Sequence, residues 1–142
     1  MTERSSSIGQ TRAAGARLAR LAAAGDVYSL DGGLGSGKTE FVRGFAGALT
    51  DEAQAACVRS PTFSIVNTYL AEKFPIYHFD FYRIEDRREF TSIGLDEYVY
   101  GDGVCLIEWG GLFPDVLPDC AKHIKFTDAG ESLRIIEADF LF

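Results

Sequence analysis

The chain has 142 residues, of which 46% are hydrophobic and 25% charged, proportions typical of one soluble globular domain. Its formal net charge of −7 argues against a broad basic face that grips nucleic acid directly. Three cysteines without a C-x-x-C pair indicate a reducing cytoplasm. No apolar run approaches the length of a membrane span, and the polar first ten residues lack the apolar core of a signal peptide, so no membrane contact is expected.

The N-terminal part is predicted to be helical after a flexible start. Residues 1–8 are polar and are expected to fray. Residues 11–24 carry apolar side chains on one face at helical spacing, and Gly25 ends this helix. A core strand follows, and the whole chain, residues 1–142, is predicted to form one domain.

Residues 32–39 read Gly-Gly-Leu-Gly-Ser-Gly-Lys-Thr, which fits the P-loop pattern G-x-x-x-x-G-K-[ST] at every fixed position. A predicted strand over 27–30 precedes the motif, and a predicted helix over 40–49 follows it. The glycines let backbone N–H groups point inward to phosphate oxygens, and the helix N-terminus adds partial positive charge. Lys38 would reach the β- and γ-phosphates, and Thr39 would bind Mg²⁺ through its hydroxyl. The predicted nucleotide-binding residues of this segment are Gly33, Leu34, Gly35, Ser36, Gly37, Lys38, Thr39 and Glu40.

The middle of the chain predicts a β-hairpin followed by helix. Residues 50–59 are expected to form a loop or short strand. Two β-rich stretches, 60–70 after an initial turn and 75–83, are spaced as in a hairpin, so part of the sheet should be antiparallel. Residues 85–93 are predicted to be helical, with one further turn over 95–100.

Residues 104–107, Val-Cys-Leu-Ile, are typical of a buried central strand in a nucleotide-binding sheet, and Glu108 follows them directly. Two late strands are predicted over 123–126 and 133–138. The order of the elements predicts the fold class α/β: a P-loop NTPase-like three-layer domain with a mixed parallel and antiparallel sheet.

A P-loop needs a carboxylate to hold the metal on its far side, and two residues are candidates. Glu108 follows an apolar strand and is the better positional match, with a turn-capping role as the alternative. Asp80 stands among aromatic residues, and its alternatives are an exposed strand residue or an ion pair with Arg83. A carboxylate among apolar neighbours needs a compensating partner, and a bound Mg²⁺ is one.

Further candidates are weighed against ordinary structural roles. Trp109 could contact the nucleotide or a partner, or be a core aromatic. Arg134 could reach a phosphate from a late strand, although an exposed arginine is the simpler reading, and His78 is expected to be a packed strand histidine. A Pro-marked turn could form a switch loop that senses the γ-phosphate, or have only ordinary turn chemistry. This loop comprises Ser60, Pro61, Thr62, Phe63 and Ser64.

Together these segments resemble one family, TsaE (also called YjeE), the bacterial ATPase subunit of the tRNA threonylcarbamoyladenosine machinery. The resemblance covers about residues 11–110, in family order and spacing. Its segments are Gly32–Thr39, Ser60–Phe63, Tyr77–Arg83, Ile93–Leu95 with Tyr98, and Cys105–Trp109. The chain departs from the usual family residues at Gly33, Ser36 and Glu40. Glu40 adds negative charge to the first turn of the phosphate-binding helix, which suits the helix dipole but opposes a triphosphate unless it points away.

The resemblance implies a protein that binds ATP or ADP with Mg²⁺ and hydrolyses ATP weakly by itself. It would dock on a TsaD–TsaB heterodimer, reach tRNA only through that complex, and couple ATP to modification of the adenosine beside the anticodon. Lys38, Asp80 and Glu108 would be catalytic, with Thr39 and Glu108 holding the metal. Asp80 would lie near the γ-phosphate, and the loop over residues 60–64 would act as a switch. Arg134, which lies outside the resemblance, stays a candidate nucleotide contact.

Two rival functions are weaker. A small-molecule kinase would need a lid and an acceptor pocket, for which 142 residues leave little room. A non-hydrolysing switch, in which ATP only gates a partner contact, would need fewer placed carboxylates than Asp80 and Glu108 together provide.

Overall fold

The computed structural model describes residues 1–61 and 63–142. In this part of the chain, one sheet is formed by the strands β1 (Thr2–Ser5), β2 (Val27–Gly32), β3 (Val66–Leu70), β4 (Pro75–Asp80), β5 (Val104–Glu108), β6 (Lys122–Asp128) and β7 (Arg134–Ala138). The helices are α1 (Ile8–Leu21), α2 (Lys38–Leu49), α3 (Glu52–Ala56), α4 (Arg88–Ile93) and α5 (Leu95–Val99). None of these helices has the length and apolar character needed to cross a bilayer.

The sheet is mixed, as predicted. The strand order is β1-β7-β6-β2-β5-β4-β3, and the four central strands β6, β2, β5 and β4 run parallel. Strands β3 and β4 form the predicted antiparallel hairpin, and β7 pairs antiparallel with β6 on the other side. All four parallel strands therefore end at one edge of the sheet, where α/β proteins bind their ligands.

Helices cover both faces of the sheet, so the three-layer prediction is confirmed. Successive side chains of a strand point to opposite faces. Tyr28 and Leu30 of β2 belong to the core cluster that includes α1 and α2, whereas Val27 belongs to the cluster that includes α4 and α5. Strand β5 alternates in the same way, and every residue of it is buried.

The N-terminal residues were expected to fray, but in the structure they form a strand. Strand β1 pairs antiparallel with β7, residue for residue over Thr2–Ser5. Helix α1 then begins at Ile8, because the Ser7 side chain accepts a hydrogen bond from the N–H of Gln10 and caps the helix, and it ends at Leu21 instead of residue 24. The outer edge of β7 provides the pairing that a short polar segment could not obtain by itself.

The expectation of a loop or short strand over 50–59 is also wrong, since the segment contains α3. The Asp51 side chain caps this helix by accepting from the N–H of Gln54 at 2.8 Å. The Gln54 amide in turn accepts from the N–H of Leu70 at 2.7 Å and donates to its carbonyl at 2.9 Å. Helix α3 thus covers the end of the edge strand β3.

Candidate active site

The P-loop joins the end of β2 to the start of α2 beside a cleft of about 890 Å³. Gly37 precedes α2 with φ 104°, a left-handed conformation that glycine adopts without a side-chain clash. The helix N-terminus, a favourable place for an anion, faces this cleft. The rest of the lining comes from residues 6–9, Thr11, residues 34–36, Ser60, Glu108, Trp109, Ser132 and Arg134.

Lys38 is buried inside the loop, with 4% of its surface exposed. Its Nζ donates to the carbonyl oxygens of Gly32 at 2.6 Å and Gly33 at 2.8 Å. It also lies 4.5 Å from the centre of the Trp109 ring, a cation–π contact. The ammonium is therefore held at the P-loop by neutral groups.

The electrostatic surroundings of Lys38 act in both directions. Burial lowers the pKa of Lys38, because desolvation disfavours its charged form. The nearby carboxylates of Glu108, Asp80 and Asp31 oppose this effect by favouring the charge. Positive and negative groups are thus concentrated at the carboxyl ends of the strands.

Thr39 and Glu108, the predicted metal ligands, are in direct contact. The Thr39 hydroxyl lies 3.0 Å from Oε1 and 3.1 Å from Oε2 of Glu108. Glu108 is buried, with 3% of its surface exposed. A hydroxyl and a carboxylate are the oxygen donors that Mg²⁺ prefers, so this pair fits the metal. Among residues 1–61 and 63–142, no group of three or more His, Cys, Asp and Glu side chains is placed to hold a metal ion.

His78 is a packed strand histidine, as expected, but its partner was not predicted. The ring is fully buried, and its Nε2 lies 2.6 Å from Oε2 of Glu108. On the other side, the Tyr69 hydroxyl lies 3.2 Å from Nδ1 of His78. His78 pairs with Leu106 across β4 and β5, so Glu108 lies two residues farther along on the same face. The sequence alone does not predict this contact, because it depends on the register of β4 against β5.

Asp80 ends β4 at the same level as Glu108 on β5. Its carboxylate accepts hydrogen bonds from the Ser60 hydroxyl and from the N–H of Tyr82, the latter at 2.9 Å. The alternative ion pair with Arg83 does not form among the described residues. The Arg83 guanidinium instead lies 5.3 Å from the centre of the Phe63 ring.

The candidate switch loop leads from this carboxylate to the surface. The N–H of Ile65 donates to the Pro61 carbonyl at 2.9 Å, and the Ser64 hydroxyl contacts the Val66 carbonyl at 3.4 Å. Phe63 is 91% exposed. Thr62 lies outside the described residues.

Trp109 lines the cleft, and it is also partly buried against the core cluster that includes α4 and α5. Its φ of 62° turns the chain sharply after β5, and its N–H donates to the Leu30 carbonyl at 2.9 Å. The indole packs on the Tyr82 ring, with 4.8 Å between ring centres. The Asp31 carboxylate fixes the following turn by accepting from the N–H of Gly111 at 2.7 Å.

Arg134 reaches the P-loop from β7. Its Nε donates to the Gly35 carbonyl at 3.2 Å, and its Nη1 to Asp128 at 2.9 Å. It is therefore a half-buried residue of the cleft wall. The neighbouring part of the wall, residues 6–9 with Thr11, was missed in the sequence, because only the pairing of β1 with β7 brings this segment to the cleft.

Comparison with known proteins agrees with this geometry. The family model described as threonylcarbamoyl adenosine biosynthesis protein TsaE matches residues 5–136. The chain belongs to the TsaE family. The TsaE protein of Bacillus subtilis is 43% identical over 127 residues, which cover 89% of this chain and 77% of the relative. The TsaE protein of Treponema pallidum is 39% identical over 122 residues, covering 86% and 87%. The crystal structure of Bacillus subtilis YdiB superimposes with a TM-score of 0.78 at 36% identity, covering 97% of this chain and 83% of that one.

Glu40, which adds a negative charge to the first turn of α2, has its charge balanced locally. Its Oε2 accepts from Arg12 and its Oε1 from Arg43, both at 2.7 Å. Arg43 also donates to the Val58 carbonyl at 2.6 Å. The carboxylate is thus paired on both oxygens, which reduces its repulsion of a phosphate in the cleft.

Proposed function

We propose that this protein is a Mg²⁺-dependent ATPase that acts in the cytoplasm with TsaB and TsaD in threonylcarbamoyl modification of the adenosine next to the tRNA anticodon. The observation that carries the proposal is the contact between the Thr39 hydroxyl and both Glu108 oxygens, beside the buried Lys38 ammonium. The name of the TsaE relatives supports the tRNA pathway.

The P-loop residues would bind the ATP phosphates. Backbone N–H groups at the start of α2 provide donors, and Lys38 adds a charge that can exchange its neutral carbonyl partners for phosphate oxygens. Arg134 and Trp109 flank this position at the cleft wall. Thr39 and Glu108 would hold Mg²⁺, which when bound neutralises charge that develops on the phosphate oxygens.

Asp80 would orient the attacking water near the γ-phosphate. Asp80 pairs with Glu108 across the parallel strands β4 and β5, so both carboxylates lie at the edge of the sheet that borders the cleft. This position supports the role. The hydrogen bond from Ser60 to Asp80 links this carboxylate to the loop over residues 60–64. A change at the γ-phosphate could therefore be transmitted to the exposed Phe63, which supports the switch role of this loop.

The contacts of the nearby arginines support the proposal of a weak intrinsic rate. Arg12 is paired with Glu40, and Arg134 contacts Asp128 and the Gly35 carbonyl. Phosphoryl transfer accelerates strongly when an arginine reaches the transition state. A partner that supplies or frees such an arginine would activate the enzyme, and we propose the TsaD–TsaB heterodimer in that role.

The test is Mg²⁺-dependent ATP hydrolysis by the purified full chain, with and without the TsaD–TsaB pair from the same organism. We expect strong stimulation by the pair. Glu108→Gln and Asp80→Asn should each abolish most of the stimulated rate. Glu72→Gln is the control, because Glu72 is exposed before the start of β4, at the opposite end of that strand from Asp80.

A nucleotide-gated binding switch is the second candidate, favoured by the contact of Ser60 with Asp80 and the exposure of Phe63. Tight ATP binding without hydrolysis, in both the presence and the absence of the partner pair, would support the switch. The catalytic roles proposed for Asp80 and Glu108 would then be withdrawn.

A further inference from the structure

A chain of hydrogen bonds crosses three strands of the sheet and ends at Glu108. The Tyr69 hydroxyl on β3 lies 3.2 Å from Nδ1 of His78 on β4, and Nε2 of His78 lies 2.6 Å from Oε2 of Glu108 on β5. A carboxylate oxygen only accepts hydrogen bonds, so Nε2 is the donor. Thr39 donates to the same carboxylate from α2, on the cleft side.

His78 and Glu108 are both shielded from bulk water. His78 is fully buried and Glu108 is 3% exposed, so the protein itself must supply their hydrogen-bond partners. Burial also raises the pKa of Tyr69, which keeps its hydroxyl protonated. The imidazole is thus fixed at both ring nitrogens, and it contacts Glu108 from inside the sheet.

We propose that His78 is a positioning residue for the Mg²⁺ site, holding the Glu108 carboxylate in the orientation that serves the metal. This inference rests on the proposed function, because it requires that Mg²⁺ accompanies the nucleotide. Metal ligands are commonly oriented by a hydrogen bond from a neighbouring residue, and loss of that bond typically reduces metal affinity about 10–100-fold. In this chain, the Nε2–H of His78 donates to Oε2 of Glu108, and the same carboxylate contacts the Thr39 hydroxyl on the cleft side.

The test measures how much Mg²⁺ strengthens ADP binding, which is a readout independent of hydrolysis. Calorimetry on the full chain gives the Kd for ADP with excess Mg²⁺ and with EDTA, and the ratio of the two is the Mg²⁺ enhancement. His78→Leu, which removes the N–H donor, should lower the enhancement by about 10-fold or more while leaving the Kd in EDTA unchanged. His78→Gln, which keeps an N–H donor near the Nε2 position, should restore most of it.

Two tyrosine variants provide a matched comparison. Tyr69→Phe removes only the hydroxyl that contacts His78, so the Mg²⁺ enhancement should fall in the same direction but less than in His78→Leu. Tyr28→Phe removes the hydroxyl of another buried tyrosine, which donates to Asp26 at the other end of the sheet, and should leave the enhancement unchanged. Tyr69→Phe also tests the proposal if His78→Leu does not fold.

Several results would overturn the inference. An unchanged Mg²⁺ enhancement in folded His78→Leu would do so, as would equal losses in His78→Leu and His78→Gln. If His78→Leu does not fold, an enhancement in Tyr69→Phe equal to that of the unaltered chain has the same meaning. Absence of any enhancement in the unaltered chain contradicts the proposed function itself, so the two failures are distinguishable.

Discussion

A lysine lies close to carboxylates near each end of the central strand β2, but the direct partners of the two lysines differ. Before the start of the strand, Asp26 accepts from the Tyr28 hydroxyl at 2.7 Å and from the Lys122 ammonium at 3.0 Å. At the carboxyl end, the Lys38 ammonium donates to the carbonyl oxygens of Gly32 and Gly33.

The difference separates a structural network from a binding site. Lys122 has a carboxylate as its direct partner, so its charge is balanced without a ligand. Lys38 is buried against neutral oxygens, and burial lowers its pKa despite the carboxylates nearby. A phosphate would be a better partner than a neutral carbonyl for this ammonium. The direct partners of a buried charge therefore reveal its role better than burial alone.

The largest expected effect comes from replacing Lys38 by methionine, and Lys122→Met is the matched comparison. Lys38→Met should weaken ADP binding roughly 10–100-fold, because a hydrogen bond to a charged group contributes about 1.5–3 kcal/mol. Lys122→Met should leave ADP binding unchanged and lower the free energy of unfolding by less than about 1 kcal/mol, as expected for a partly exposed ion pair. Calorimetry and urea unfolding measure the two quantities. Equal ADP affinities in the two variants would remove the distinction between the ends of β2.

A second pair of variants compares the two glycines that hold Lys38. A Cβ added to Gly32 would overlap the backbone oxygen of Phe126 and lie 2.9 Å from the Cβ of Phe126. A Cβ added to Gly33 would meet no atom within 4 Å. Gly32→Ala should therefore lower the free energy of unfolding by about 1–3 kcal/mol, the usual cost of overpacking. Gly33→Ala should change it by no more than about 0.5 kcal/mol. Urea unfolding of both variants decides the point, and similar losses would show that β2 is not held tightly against β6.

Local patterns in the sequence predicted most of this fold and the centre of the site. The P-loop brings its own strand and helix, and the apolar run before Glu108 identified the strand that faces Thr39. Both signals lie within a few neighbouring residues. Helix α3 had a comparable local signal, since Asp51 precedes Gln54 by three residues, as in a helix N-terminus.

Other features depend on pairing between distant segments, which a single sequence does not display. Strand β1 is short and polar, and it exists because β7 from the opposite end of the chain pairs with it. This pairing also brings residues 6–9 to the cleft. The contact between His78 and Glu108 depends on the register of β4 against β5. A slip of one residue would turn His78 to the other face of the sheet.

The smallest expected effect tests the amino end of β2 through its pH dependence. Burial alone would raise the pKa of Asp26, but hydrogen bonds from the Ala23 N–H, the Tyr28 hydroxyl and the Lys122 ammonium outweigh it and hold the pKa below its ordinary value of 3.8. A lowered pKa means that the carboxylate stabilises the fold above the unfolded value and loses this contribution as pH falls through the folded value. Asp26→Asn should therefore lower the Tm slightly near neutral pH, with a gap to the unaltered chain that closes below about pH 4. Thermal unfolding at several pH values measures the gap, and the exposed Asp119 serves as the control in Asp119→Asn. A gap that is constant with pH would mean that the contacts of Asp26 contribute through geometry and not through charge.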